Sequence, residues 1–455
     1  MVTRSWITPE PLGDDAALHM SASRDGSLLY VSGDGLHLRD GSGKVQSLGW
    51  PVTYTVPTPP PLLITNARIV DGTGNPPTEP RDLLLRNGRI EKIGAPGTLK
   101  AKDAQAIDAG GAAVMPGLTD MHSHQDGAQQ MRGALYNGVT VLRDQGSDLA
   151  TVAARADESF SGDAVLPWTS FGGFQLYTDW AFSNGIEQGL EPERDPGQIG
   201  RAVDLLLAHG AEHMKIRTFH GWNGVTRLIE AAHRAGLRTT GHCILPLALL
   251  AAGMDSKEHL GNTCGERFNA PLHEDITAVF HASRIAVIPT SMLTSWEEIW
   301  MADSNFLRRP DVLPFTVAAK RDQKPFGASD PAYWIVGQGR LMIEQMRSLH
   351  DAGVLFGVGC DAPLFPWGPH LELERMVAAG LTPLEAIRAG TLESMRILGH
   401  DAELGSIEAG KIANLIILEP GAEPWRDIRD TRRIREVILG GRPVDRAGLL
   451  TNNER

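Results

Sequence analysis

MPGLTDMHSH, residues 115–124, ends an apolar, strand-like run with two imidazoles on alternate positions. In a β-strand residues i and i+2 point to the same side, so His122 and His124 face one space together. Two neutral imidazoles side by side are half of a divalent metal site. In a chain with 15 histidines such a pair means little alone. Its weight comes from Lys215, His242, His259 and Asp361, each in or at the end of another strand-like segment.

Those segments lie in a middle region, residues 115–402, where short apolar runs alternate with helical patterns. The strand candidates are VMPGLTDMH, GVTVLRD, LPWTSFGG, EHMKIRT, LRTTGHC, SKEHL, IAVIPT and LFGVGCD. The helix-like runs IGRAVDLLLAHG and GVTRLIEAAHRAG stop at Gly210 and Gly236, residues suited to ending a helix. Strands alternating with helices predict parallel βα units. Eight of them are the number of a (β/α)8 TIM barrel, in which catalytic residues sit at the C-terminal ends of the strands. His122, His124, Lys215, His242, His259 and Asp361 all fall at or near that end.

Both flanks read differently. Residues 1–60 are short alternating runs broken by Asp-Gly and Ser-Gly pairs, which predict hairpins. VPTPPP (56–61) reads as a linker. Residues 61–114 are again β-rich, and strands of the same kind return within 403–455, in GKIANLIILE and REVILGGRPV. The two flanks together predict a small β-sandwich built from both ends of the chain, with a C-terminal tail.

Composition narrows the function. The chain is 42% hydrophobic and 22% charged, as ordinary globular proteins are. A net charge of −12 without a Lys/Arg run argues against nucleic acid or anionic membranes as partner. Cys243, Cys264 and Cys360 are odd in number and far apart, which fits a reducing compartment. No apolar run reaches the length of a membrane span, and the N-terminus lacks a signal-peptide core. A cytoplasmic location, a small-molecule or short-peptide substrate and a homo-oligomer are expected.

Read in order from about residue 62 to 446, LLITNARIVDGTG, VMPGLTDMHSH, GVTVLRDQG, MKI, GHC, AGMDSKEHL, GVGCDAP, TPLEAIRAGT and LGSIEAGKIANLIIL resemble the amidohydrolase superfamily of metal-dependent hydrolases. The similarity points to the imidazolonepropionase-like and Xaa-Pro dipeptidase-like branch. It implies that His122, His124, Lys215, His242, His259 and Asp361 hold one or two Zn2+ ions, other divalent metals being alternatives. It also implies that Lys215 is carboxylated. Gly359-Cys360-Asp361-Ala362 and the single-histidine GHCILP depart from the usual motifs and direct the difference to the substrate pocket. Residues 1–55 loosely resemble a blade of a TolB-type β-propeller.

The chemistry implied is hydrolysis of a C–N amide bond in a peptide-like, N-acyl or cyclic amide substrate, by a hydroxide formed on the metal. Asp361, Lys215 and His259 would be the catalytic residues, with Asp361 moving the proton. Lactone or ester hydrolysis on the same site is an alternative, as is a non-catalytic binding protein that keeps the fold. His220, Tyr177 and Trp168 follow or end strands and are candidates for lining the pocket. His213, His233, His281 and His400 read as structural or surface residues. Arg143 and Asp144 read as an ion pair at the barrel mouth, and Cys360 as a small packing residue.

Overall fold

The computed structural model describes residues 19–32, 35–49, 58–124, 128–147, 165–177, 187–189, 197–218, 222–241, 252–260, 272–292, 305, 308–310, 312–315, 331–361 and 367–451. The first strands, β1 (His19–Ala22), β2 (Leu28–Ser32), β3 (Gly35–Arg39) and β4 (Val45–Leu48), pair antiparallel in sequence order. The expected hairpins form because Asp25 and Asp40 cap their own turns. Asp25 Oδ1 accepts from Ser27 N at 2.9 Å, and Asp40 Oδ1 accepts from Ser42 N at 2.9 Å and Lys44 N at 3.0 Å. Four antiparallel strands are common to many folds and add nothing to the propeller resemblance.

Next come β5 (Leu62–Ile69), β6 (Arg81–Arg86), β7 (Arg89–Gly94), β8 (Gln105–Asp108) and β9 (Ala113–Pro116). The middle region supplies β10 (Leu118–Ser123), β11 (Val139–Asp144), β12 (Trp168–Ser170), β13 (Gln175–Tyr177), β14 (Glu187–Gly189), β15 (His213–Thr218), β16 (Arg238–Gly241), β17 (Ser256–Glu258) and β18 (Ala286–Ile288). The chain closes with β19 (Leu415–Leu418), β20 (Ile434–Leu439) and β21 (Arg442–Pro443).

The two flanks share one sheet, in the order β21-β20-β19-β9-β5-β6-β7, with β8 beside β5. The joint is antiparallel pairing of β9 with β19, Met115 opposite Ile416. Leu62, Ile64, Leu83, Leu85 and Val114 from the first flank bury against Leu415, Ile417 and Ile438 from the second. The two flanks thus bury one shared apolar core, which ties segments far apart in sequence together.

The middle strands are all parallel, in two runs, β10-β11-β12 and β14-β13-β15-β16-β17-β18. The stretch 354–361, which carries LFGVGCD, bonds on both sides. Val287 N donates to Leu355 O (2.9 Å) and Gly357 N to Val287 O (3.0 Å), joining it to β18. Met121 N donates to Val358 O (2.7 Å) and Asp361 N to His122 O (2.8 Å), joining it to β10. Gly359 permits that approach, since a Cβ there would lie 2.8 Å from His122 N and 2.4 Å from Ile288 Cγ2.

Leu206 of the helix Gly197–Ala208 and Leu228 and Ile229 of the helix Trp222–Arg234 are buried in one core with Met214 and Ile216 of β15. Both helices stop where the sequence predicts. Gly210 and Gly236 take φ of +75° and +81°, a left-handed conformation that glycine adopts without steric penalty. The expected strand LPWTSFGG differs from the structure. β12 pairs with β11, but the chain then shifts, and the separate β13 pairs with β15. No helix among the described residues is long and apolar enough to cross a membrane.

Candidate metal centre

His122 sits near the end of β10, two residues after Asp120. Asp120 Oδ1 accepts from His122 N at 3.1 Å and from Cys360 N at 3.0 Å. One carboxylate oxygen thus pins the end of β10 to the segment carrying Asp361. Burial pushes Asp120 up to about 6.

Three imidazoles surround Asp361. His122 Nε2 lies 3.6 Å and His124 Nε2 3.3 Å from Asp361 Oδ1, and His259 Nε2 lies 3.7 Å from Oδ2. His122, His124 and Asp361 each offer a ligand atom, all within 4.8 Å of one another. His259 and Asp361 both hold left-handed backbone, φ +65° and +48°. Such conformations cost of order 1–3 kcal/mol at a non-glycine residue and persist only where neighbours enforce them.

The other ring nitrogen of each histidine meets a fixed acceptor. His122 Nδ1 is 2.7 Å from Glu258 Oε2, His124 Nδ1 is 3.1 Å from Gly146 O, and His259 Nδ1 is 2.6 Å from Thr290 Oγ1. A carbonyl can only accept. Burial works against ionisation of Glu258, but the Arg143 guanidinium outweighs it and holds the carboxyl well below its usual range. The Thr290 hydroxyl is also 2.8 Å from Pro289 O, an acceptor for its own proton. All three rings therefore give their Nδ1 proton to a fixed acceptor and turn Nε2 to Asp361.

Asp361 is itself ionised at neutral pH. Burial opposes its charge, but His122, His124 and Lys215 outweigh burial and hold it at about 2. Burial and Lys215 bring His122 down to about 4, keeping it neutral. Burial works against protonation of His124, but the Asp361 carboxylate outweighs it and raises that imidazole above its ordinary value. Three Nε2 atoms and a carboxylate converging on one point are a donor set that a divalent cation accepts in place of the proton.

Lys215, on β15, is 1% exposed, and among the described residues its Nζ has no hydrogen-bond partner. Burial lowers it to about 8 against the pull of Glu258 and Asp361. A buried amine without a partner is costly. Carboxylation would convert it to an anionic oxygen ligand, and the buried Nζ fits such a group.

The structure thus gathers His122, His124, His259 and Asp361, with Lys215 buried in the same field. His242 and His220 lie outside the described residues, and for Tyr177 only the backbone is described. Trp168 stands apart from the imidazoles. It pairs with Val141, below the level of Arg143, and its ring meets His400 edge-on at 4.7 Å. It is partly buried against the apolar cluster that includes Met121 and Val141. Arg143 is a correction: its ion pair is with Glu258 at 2.6 Å, whereas Asp144 Oδ1 accepts from Ser147 Oγ. His213 is buried with Nε2 on Asp144 O at 2.8 Å, a structural role as expected. Cys360 is buried, as a packing residue should be. Sequence reasoning missed Glu258, Thr290 and Asp120, although Glu258 directly precedes His259 in SKEHL.

Known proteins resemble this architecture. A protein of Bifidobacterium longum described as a candidate prolidase superposes with a TM-score of 0.68 at 25% identity, over 87% of this chain and 99% of its own. A Xaa-Pro dipeptidase with bound methionine superposes with a TM-score of 0.65 at 20% identity, over 84% of this chain and 99% of its own. The imidazolonepropionase of Sphingopyxis alaskensis is 24% identical over 377 residues, which is 78% of this chain and 91% of that one. The dihydroorotase of Pelotomaculum thermopropionicum is 23% identical, over 84% of this chain and 94% of that one. The model of the amidohydrolase family matches residues 149–444. With well over half its length in that match, the chain is an enzyme of the amidohydrolase family.

Proposed function

We propose that the protein is a metal-dependent hydrolase that cleaves a C–N amide bond in a small molecule or short peptide. The convergence of three imidazole Nε2 atoms on the Asp361 carboxylate carries this reading. The bond type is supported by relatives named imidazolonepropionase and dihydroorotase. The parallel strands, joined through 354–361 to β18 on one side and β10 on the other, support a (β/α)8 barrel with the site at its C-terminal face. The sheet shared by the flanks supports the division into a barrel of residues 115–402 and a β-sandwich from 61–114 and 403–455.

His122, His124 and Asp361 would hold one divalent ion. His259, with His242, would hold a second, and carboxylated Lys215 would bridge the two. Zinc bound there supplies Lewis acidity and a source of nucleophile at neutral pH. Asp361 Oδ, ionised, takes a proton from the attacking water. As the O–C bond forms and the C–N bond breaks, the same oxygen hands the proton to the leaving nitrogen. His259, hydrogen-bonded to Thr290, presents its Nε2 to the other carboxylate oxygen, Asp361 Oδ2. With its amine near pH 8, Lys215 keeps a neutral fraction able to react with CO2.

Elemental analysis with a substrate panel tests the proposal. One or two zinc ions per chain and hydrolysis within a set of N-acyl amino acids, Xaa-Pro dipeptides and cyclic amides are expected. Lactones complete the panel. Metal-replete protein with well under one ion per chain, or with turnover of lactones alone, defeats it.

A further inference from the structure

We propose that Glu258 is a positioning residue, which fixes His122 as a metal ligand through Nδ1 and does not itself touch metal or substrate. The inference rests on the metal-dependent reading of the site. Glu258 ends β17 and is fully buried. Ser256 and Glu258 lie on the same face of that strand. Glu258 Oε1 accepts from Arg143 Nη2 at 2.6 Å, from Ser256 Oγ at 3.2 Å and from the Thr240 hydroxyl. Three donors on one oxygen set the plane of the carboxylate, and Oε2 is left for His122 Nδ1 at 2.7 Å.

A carboxylate present only to neutralise Arg143 would sit on the guanidinium with both oxygens, the strongest geometry for that pair. Here the guanidinium spends its other donors elsewhere. Nε donates to Met121 O at 2.7 Å and Nη1 to Ser256 Oγ at 3.0 Å. Arg143 therefore ties the residue before His122 to the same carboxylate that holds the His122 ring. The ring torsion of histidine is soft, so without that acceptor the direction of Nε2 is poorly set. The charged acceptor also makes Nε2 a stronger donor toward a metal.

Glu258→Gln keeps the size of the side chain and removes its charge. Co2+ serves as the probe, its dissociation constant read by chelator competition and its ligand field from d–d absorption. The expected result is a Co2+ affinity about 10–100-fold weaker and shifted d–d bands, in protein whose near-UV circular dichroism matches the parent. If affinity stays within about threefold of the parent, short of a ligand-orienting loss, and the bands are unchanged, Glu258 is only the partner of Arg143. Should the single variant fail to fold because the guanidinium is left unpaired, the Glu258→Gln, Arg143→Met pair removes both buried charges and is judged by the same two outcomes. Parent protein that takes up no Co2+ defeats the metal reading and this one together. Parent binding with an unchanged Glu258→Gln defeats this one alone.

Discussion

Thr290 Oγ1 lies 2.6 Å from His259 Nδ1, and both residues hold left-handed backbone, φ +48° and +65°. A β-branched residue in that conformation is a genuine outlier, so something must hold it. The holder is Glu372, buried on the helix Gly368–Ala379. Its carboxyl oxygens accept from Ser291 N at 3.0 Å, Ser291 Oγ at 2.6 Å and Met292 N at 3.2 Å. The turn after β18 is thereby fixed, and with it the hydroxyl that orients His259.

Thr290→Val keeps the shape and the branching but removes the acceptor for His259. Metal affinity or kcat should fall by about 10–100-fold, the usual effect of losing such a partner. Thr290→Ser keeps the hydroxyl and should restore most of the loss. Chelator competition and steady-state kinetics on both variants measure this. Equal behaviour of Val and Ser would assign Thr290 to the turn alone.

Much of this site is legible in the sequence because the residues that gather there end strands. His122, His124 and Asp361 each follow an apolar run, and periodicity alone carries them to one end of the parallel strands. Their orienting partners are not legible in the same way. Glu258 is 136 positions from His122, and Thr290 is 31 from His259. Which acceptor meets which Nδ1 depends on how strands stack in three dimensions, and no local spacing encodes that. Arg143 shows the same limit. The adjacent Asp144 looks like its partner, yet neighbours on a strand point to opposite faces, and the guanidinium crosses the interior to Glu258. LPWTSFGG reads as one strand, so the sequence does not fix the height of Trp168 on the sheet. The break between β12 and β13 leaves it lower on the sheet.

His400 gives a pH test remote from the metal centre. Its Nε2 lies 3.2 Å from Glu212 Oε2, and that hydrogen bond raises the histidine above its ordinary value. Burial works against ionisation of Glu212, but His400 and Ser170 outweigh it, and its value falls below the ordinary one. The raised histidine contributes stability in full below its unfolded value, near 6.5, and loses it as pH rises through its folded value. The lowered glutamate contributes above its unfolded value, near 4.3, and loses it as pH falls. The pair is therefore most stabilising between those two values. Thermal melts of His400→Gln and its parent should differ most near pH 5.5 and converge by about pH 9. A difference that does not change over that range would show that the pair carries no charge-dependent stability.

Lys215 separates stability from function. With Nζ buried and without a partner among the described residues, Lys215→Met should melt higher than the parent when both are stripped with a chelator, by about 1 kcal/mol or more of stability. In metal-replete protein the order should reverse, since the variant cannot form a carbamate. Lys215→Ala should lose most metal and activity, and acetate or propionate should return part of both. Normal metal content and full activity in Lys215→Ala would make the lysine structural and the site mononuclear.

Asp361→Asn tests the mechanism apart from the fold. Asparagine is among the residues that best tolerate left-handed backbone, so φ of +48° is no obstacle to it. It keeps the shape of the carboxylate but cannot take up a proton at neutral pH. General acid–base groups contribute about 10²–10⁴-fold, and kcat should fall by at least that factor while substrate affinity changes little. Since Asp361 also faces three Nε2 atoms, some of the loss would come from weaker metal binding, and metal content is measured on the same samples. A fully loaded Asp361→Asn that turns over within about threefold of the parent would contradict the proton-transfer role. The base would then be sought at His259, whose Nε2 lies 3.7 Å from the same carboxylate and whose orientation Thr290 already fixes.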